Sequence, residues 1–253
     1  MRMPIPLDEF EKLPTDQERE HQKEKEKDKI SQFIESLKDP SNILIGCSVF
    51  AKAEPRDQTY VLCMNLSLKP DPKSKLYAIE SLIREWNKKS FYRFRPKQLN
   101  KISPDIQSFL RQEGGRIGSL ESKTLGHLDL SDIQLVSEVY WELSEYDSIG
   151  QTGASKALHM MIPRLFVMWD DNIATAYHRL HESHKVQEAL CYQQFMRTCN
   201  EVAAAVLSKT SEEELTTKHP NFKSTGFRKT LAKMLDECNY AEFTLKKEKV
   251  KSK

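Results

Sequence analysis

The stretch SIGQTGASKALHMMIPRLFVMWDDNIATAYH, Ser148–His178, decides how the rest of the chain is read. Gly150 and Gly153 sit three apart in a polar turn, in a chain with only 8 glycines among 253 residues. A short apolar helix follows, then Pro163, then the apolar run LFVMW, which ends in two carboxylates, Asp170 and Asp171. A turn that bends at glycine and opens a helix exposes amide N–H groups with no acceptor inside the helix. With the positive helix end, they suit a phosphate. Gly150, Thr152, Gly153, Ala154 and Ser155 place small groups where a phosphate would approach. The plain alternative is an ordinary helix–turn–helix corner with glycine at the helix end. Asp170 has two readings as well. It caps the helix that follows, or it is a held carboxylate that stabilises positive charge developing on a substrate.

Upstream, the segment from Ser131 predicts a helix. SDIQ reads as a capping box with Gln134 at its third position, and Ile133, Val136, Tyr140 and Leu143 form the buried stripe. Downstream, helices are expected over Asn172–His181, about 185–207 and about 225–238, the last burying Phe227, Leu231, Met234, Leu235 and Cys238. Ser74 is read as the cap of a helix carrying Leu76, Ile79, Ile83 and Trp86, and a shorter helix as covering Pro104–Arg111. EGGRIGSLESKTLGH, with Gly114, Gly115, Gly118 and Gly126, reads as a loop. NILIGCSVFA and TYVLCMNLSL look strand-like, so the fold class is mainly α with at most a small strand element near residues 42–68. Residues 1–29 form a charged arm, 30–245 the helical domain, and 246–253 a basic tail expected to be disordered.

The net charge is +2, so global charge does not announce a nucleic-acid binder, and distribution matters more. Arg84–Lys101 carries seven basic residues against one acid, interleaved with aromatics. Lys88, Lys89, Tyr92, Arg93, Arg95 and Lys97 are its candidate DNA contacts, through phosphate neutralisation and base stacking. The alternative is a solvated helix end with core aromatics. The five cysteines are odd in number and contain no CxxC, which suits reduced thiols and an intracellular protein without an obvious zinc or iron–sulfur site. His178, His181 and His184 form HxxHxxH, whose third member drifts off the helix face, so no metal is expected. No apolar run reaches membrane-spanning length. GQTGASK lacks the spacing of a nucleotide-binding phosphate loop.

SIGQTGASKAL resembles the hairpin of the helix-hairpin-helix DNA glycosylases, whose form is Gly-hydrophobic-Gly-x-x-x-Ala before an apolar helix. Gly150 takes the second glycine position, and Asp170, 20 residues on, takes that of the superfamily's essential aspartate. The resemblance covers about residues 131–178. It implies a two-lobed helical fold and hydrolysis of the N-glycosidic bond of a flipped, damaged or mismatched base in duplex DNA. It implies no cofactor and no obligate protein partner. Asp170 would be the essential carboxylate. Ser148 stands where the family has its first glycine, Thr152 where strand-cleaving members carry a lysine, and Asn172 where a histidine is usual. That register implies a water-using enzyme; strand cleavage would fall to Lys156, one helical turn further on. A non-catalytic nucleic-acid-binding protein and a helical interaction scaffold are the competing classes.

Overall fold

The computed structural model describes residues 16–86, 96–181 and 188–246, and all regular structure in them is helical. In chain order the helices are α1 (Asp16–Ser36), α2 (Pro40–Ala53), α3 (Asp57–Ser67), α4 (Pro72–Trp86), a 3-10 turn (Pro96–Lys101) and α5 (Ile102–Leu120). They continue as α6 (Leu130–Ser144), α7 (Gly150–Met161), α8 (Asp171–His181), α9 (Glu188–Leu207), α10 (Glu212–Thr217), α11 (Phe222–Thr225) and α12 (Leu231–Tyr240), then a π-helical turn (Ala241–Leu245).

The expected strand element is absent from residues 42–68. Both strand-like runs are helices, α2 and α3. Their buried residues have helical spacing: Ile43, Cys47 and Phe50 on α2, Tyr60 and Met64 on α3. Ile45, Val49 and Leu62 make the runs look apolar at both parities, but they are exposed on the outer faces. Asp39 opens α2 by accepting the Ser41 N–H at 2.9 Å, with Pro40 at the first helical position.

The glycine-rich loop is also corrected. Gly114, Gly115 and Gly118 lie inside α5, held helical by Ile102, Ile106, Phe109, Ile117 and Leu120 on its buried face. A Cβ added at any of these three glycines meets nothing within 4 Å. Changing each to alanine is expected to raise stability by about 0.5–1 kcal/mol, read as a higher urea midpoint at unchanged slope. Gly126 is different. Its φ is 94°, and a Cβ there would lie 2.9 Å from Leu207 Cδ1.

Caps shift by a few residues. Asp129, not Ser131, caps α6: it accepts the Asp132 N–H at 2.8 Å, and Asp132 accepts the Asp129 N–H at 3.3 Å. Asp71, not Ser74, caps α4, accepting the Ser74 N–H at 2.9 Å. The helix expected from 225 divides at Gly226, φ 65°, and α12 starts after Thr230, which accepts the Lys233 N–H at 3.2 Å. All ten residues of α12 are buried, so it runs through the core with α2, α9 and α10 packed on it. Residues 16–29 continue into α1, which packs along α8 and pairs Glu26 with Arg179 at 2.8 Å. The expected disordered tail, beyond Lys246, lies outside the described residues.

Candidate functional site

α6 and α7 are consecutive helices that pack on each other across a short turn. The turn is tight because Tyr146 O accepts the N–H of both Ile149, at 2.8 Å, and Gly150, at 2.9 Å. Gly150 adopts φ 61°, a left-handed conformation that glycine enters without strain. Ser148, where a glycine was the family pattern, is fully buried and donates its hydroxyl to Asp105 on α5 at 2.6 Å. Ile149 offers no side-chain cap to α7.

The small residues past the turn divide. Gly150 and Thr152 are partly exposed, and Gly153, Ala154 and Ser155 are buried. Ser155 clasps the strand-like return of the chain: its hydroxyl lies 3.3 Å from both the N and the O of Trp169. Ala154 and Ser155 therefore face the core rather than a phosphate, because the chain folds back over them. Thr152 donates its hydroxyl to Asp171 at 3.2 Å, joining the first turns of α7 and α8. Trp169 and Met168 are core; the Trp169 indole N–H donates to Tyr140 at 3.2 Å within a cluster that includes Tyr192 and Phe195.

That clasp delivers Asp170 to the start of α8. Its Oδ1 accepts the N–H groups of Asn172 and Ile173, each at 2.9 Å, and Oδ2 accepts the Thr244 hydroxyl at 2.7 Å. Lys156, 4% exposed, lies behind it. Burial drives the Lys156 ammonium down to about 8, with Asp170 and then Asp236 supporting its charge and Arg56 opposing it. Asp170 and Lys156, expected to share a site, are electrostatic neighbours.

Sequence reasoning missed what lies beneath them. Lys229, 1% exposed, donates to both oxygens of Asp57 at 2.6 and 2.7 Å and to Glu237 at 2.5 Å. Lys233 pairs with Asp236 at 2.6 Å, and its ammonium sits 4.6, 4.9 and 5.1 Å from the ring centres of Phe50, Tyr60 and Trp86. Burial raises Asp236 to about 6 despite Lys233. Burial also opposes the charge on Glu237, but Lys233, the His219 hydrogen bond and Lys229 together hold it down at about 2. A line of alternating charge thus runs from Asp57 through α12 towards Lys156 and Asp170. Only the spacing of Lys229, Lys233 and Glu237, one helical turn apart, hinted at it.

Cys47, His219 and Glu237 bring three buried ligand-type atoms within 4.8 Å of one another. His219 Nδ1 accepts the Asn221 N–H at 3.1 Å, so Nε2 carries the proton and donates to Glu237 at 2.8 Å. Lys229 is already on Glu237 and the Cys47 thiol donates to Met234 O at 3.7 Å, so these groups are engaged by hydrogen bonds within the protein. His159, buried and driven down to about 4 by burial, donates from Nδ1 to Phe166 O at 2.7 Å and accepts the Tyr60 hydroxyl at 2.8 Å. The five cysteines are free and buried.

Of the basic–aromatic stretch, Lys88, Lys89, Tyr92, Arg93 and Arg95 lie outside the described residues, as does His184 of the histidine series. Lys97 is exposed on the 3-10 turn. Arg84 is committed to Glu80 and to Leu99 O at 2.6 Å. α4 packs along α7, with Lys75 near its start bonded to Met161 O at 3.4 Å, at the far end of α7. Its other end, Trp86, stacks on Arg56 at 5.2 Å, the same Arg56 that acts on Lys156. Among the described residues, no helix is long and apolar enough to cross a membrane. Compared with protein-family models, with curated proteins and with solved structures, the chain matches none.

Proposed function

We propose that this protein is a DNA glycosylase that removes a flipped base, with Asp170 and Lys156 as its reacting residues. The observation that carries the reading is a lysine buried behind the glycine turn, its ammonium lowered to about 8 by burial, beside the carboxylate that the sequence register singles out. Perturbed groups of this kind cluster at functional sites. The hairpin resemblance supports the same assignment. Gly150 and the first N–H groups of α7 would meet a backbone phosphate, with Lys97 and the stretch before it as further phosphate contacts.

The chemistry follows from the pair. As the bond from C1′ to the base stretches, positive charge develops on the sugar, and the fixed Asp170 carboxylate stabilises it. The base leaves with the bonding electrons and takes up a proton. The register alone favours water as the nucleophile, but the lowered Lys156 favours its amine. Attack of that amine on C1′ forms a C–N bond as the base departs, and opening of the ring gives an imine that borohydride traps. A panel of duplexes bearing oxidised, deaminated, alkylated and mismatched bases tests this. Excision with a trappable protein–DNA adduct is the expected result; binding without excision on every duplex would leave only the non-catalytic reading.

The amine route carries a pH signature. Below about 8 Lys156 is protonated and cannot attack; above it the free amine accumulates. Adduct formation is expected to rise roughly tenfold between pH 7 and 9 and to vanish in Lys156→Gln. A flat profile over that range, with trapping intact in Lys156→Gln, would remove Lys156 from the mechanism.

A further inference from the structure

An aspartate that caps a helix collects its N–H donors from the next few residues, and Asp170 does so through Oδ1. Capping asks nothing of Oδ2. That oxygen nevertheless accepts a hydroxyl at 2.7 Å from Thr244, 74 residues away. The terminal torsion of an aspartate is soft, so two N–H groups on one oxygen anchor that oxygen and leave the other free to swing. A third donor on the second oxygen fixes the plane of the carboxylate.

Thr244 is equipped for this and little else. It is 4% exposed and lies in the π-helical turn Ala241–Leu245 that extends α12. A helical threonine usually returns its hydroxyl to a carbonyl one turn back; this one gives it to Asp170. The register of the turn is pinned just upstream, where the Tyr177 hydroxyl on α8 donates to Asn239 on α12 at 3.0 Å. The π-turn also packs directly on α8, so the helix Asp170 caps and the turn that holds Thr244 move as one. Single π-turns inside or at the end of α-helices occur often at functional sites.

We propose that Thr244 is a positioning residue for Asp170, setting the plane of its carboxylate so that the charge faces the sugar of a bound nucleotide. The proposal rests on the base-excision reading for its substrate. Thr244 contacts the Asp170 carboxylate and acts only through it, not on the substrate.

The test compares Thr244→Val, which keeps the shape and removes the hydroxyl, with Thr244→Ser, which keeps the hydroxyl, in the full chain. The Asn172 and Ile173 amide resonances report the orientation of Asp170 without any substrate. Valine is expected to move both, and serine to leave both near their parent positions. On whichever duplex the parent excises, valine is expected to slow single-turnover excision roughly 10- to 100-fold with duplex affinity within about twofold, and serine to restore the rate. Valine leaving both amides unmoved would overturn the proposal, and so would valine moving them while excision runs at the parent rate. A parent that excises nothing would overturn the base-excision reading alone, and the two amides would then decide whether Thr244 orients Asp170.

Discussion

Replacing Asp170 by asparagine is expected to cut base excision by roughly 10²- to 10³-fold while the fold stays within about 1 kcal/mol of the parent. The two effects separate because asparagine keeps the shape and loses only the charge. Its side-chain oxygen can still accept the Asn172 and Ile173 N–H groups now at 2.9 Å, and its amide can donate to the Thr244 oxygen that now donates to Oδ2. Asparagine caps helices about as well as aspartate. What disappears is the negative charge that the proposed mechanism sets against the developing positive sugar. Lys156 changes too: Asp170 is the leading support for its ammonium, so without it the lysine titrates further below 8. The variant therefore holds a more available amine yet a slower reaction, which distinguishes loss of the carboxylate from loss of the nucleophile. Excision retained within about threefold, with the urea midpoint unchanged, would make Asp170 a cap and nothing more.

Replacing Lys229 by methionine is expected to cost about 3–5 kcal/mol, enough to bring an ordinary domain close to its unfolding threshold. Lys229 is the cation shared by Asp57 and Glu237, with oxygens at 2.6, 2.7 and 2.5 Å, and all three groups are buried. Methionine fills much of the same volume, so the loss is electrostatic rather than a cavity. Asp57 keeps the Asn221 amide at 2.7 Å, and Glu237 keeps Lys233 at 3.6 Å and His219 at 2.8 Å. Urea unfolding reads the loss as a lower midpoint at constant slope. A midpoint within about 0.5 kcal/mol of the parent would show that the cluster is not a structural unit.

The same cluster makes stability depend on pH in two opposed ways. Glu237 is held at about 2, below its ordinary 4.5, so its contribution is full above 4.5 and is lost as pH falls towards 2. Asp236 is raised to about 6 from 3.8, so its contribution is full below 3.8 and is lost as pH rises through 6. His159, held at about 4 below its ordinary 6.5, works against Asp236 in the same window, since its contribution is lost as pH falls from 6.5 to 4. Asp236→Asn should therefore lose stability more steeply than the parent as pH drops from about 6.5 to 4.5, as seen in urea midpoints across pH 3–7.

The hairpin was legible because its signals are local. The turn residues, the stripe of Val136, Tyr140 and Leu143, and the distance from Gly150 to Asp170 all reside in one stretch of chain. The helices α2 and α3 were not, because Ile45, Val49 and Leu62 leave apolar residues on the outer face and blur the period. The three glycines of α5 misled for the opposite reason: the buried stripe of Ile106, Phe109 and Ile117 outweighs their poor propensity. Within the candidate site, Asp170 and Lys156 could be nominated from spacing. Thr244, Asp236 and Arg56 could not, since each reaches the site through contacts across the fold that no local pattern encodes. Ser155 looked like a phosphate contact for its size, and only the return of the chain at Trp169 turned it inward.

Among the described residues, the buried charges linked through Lys229 and α12 include three lysines, Lys156, Lys229 and Lys233, and three acids, Asp57, Asp236 and Glu237, drawn from three helices and one loop. No one of them can be exchanged for an apolar residue alone without stranding an opposite charge in the core. The set can drift over evolutionary time only through matched pairs of changes. A descendant of the same ancestor should therefore hold all six or have replaced them in balanced steps. Lys229, Lys233, Asp236 and Glu237 at their present spacing, with an aspartate opening an early helix, form a stricter mark of kinship than a glycine turn that unrelated helices reach independently.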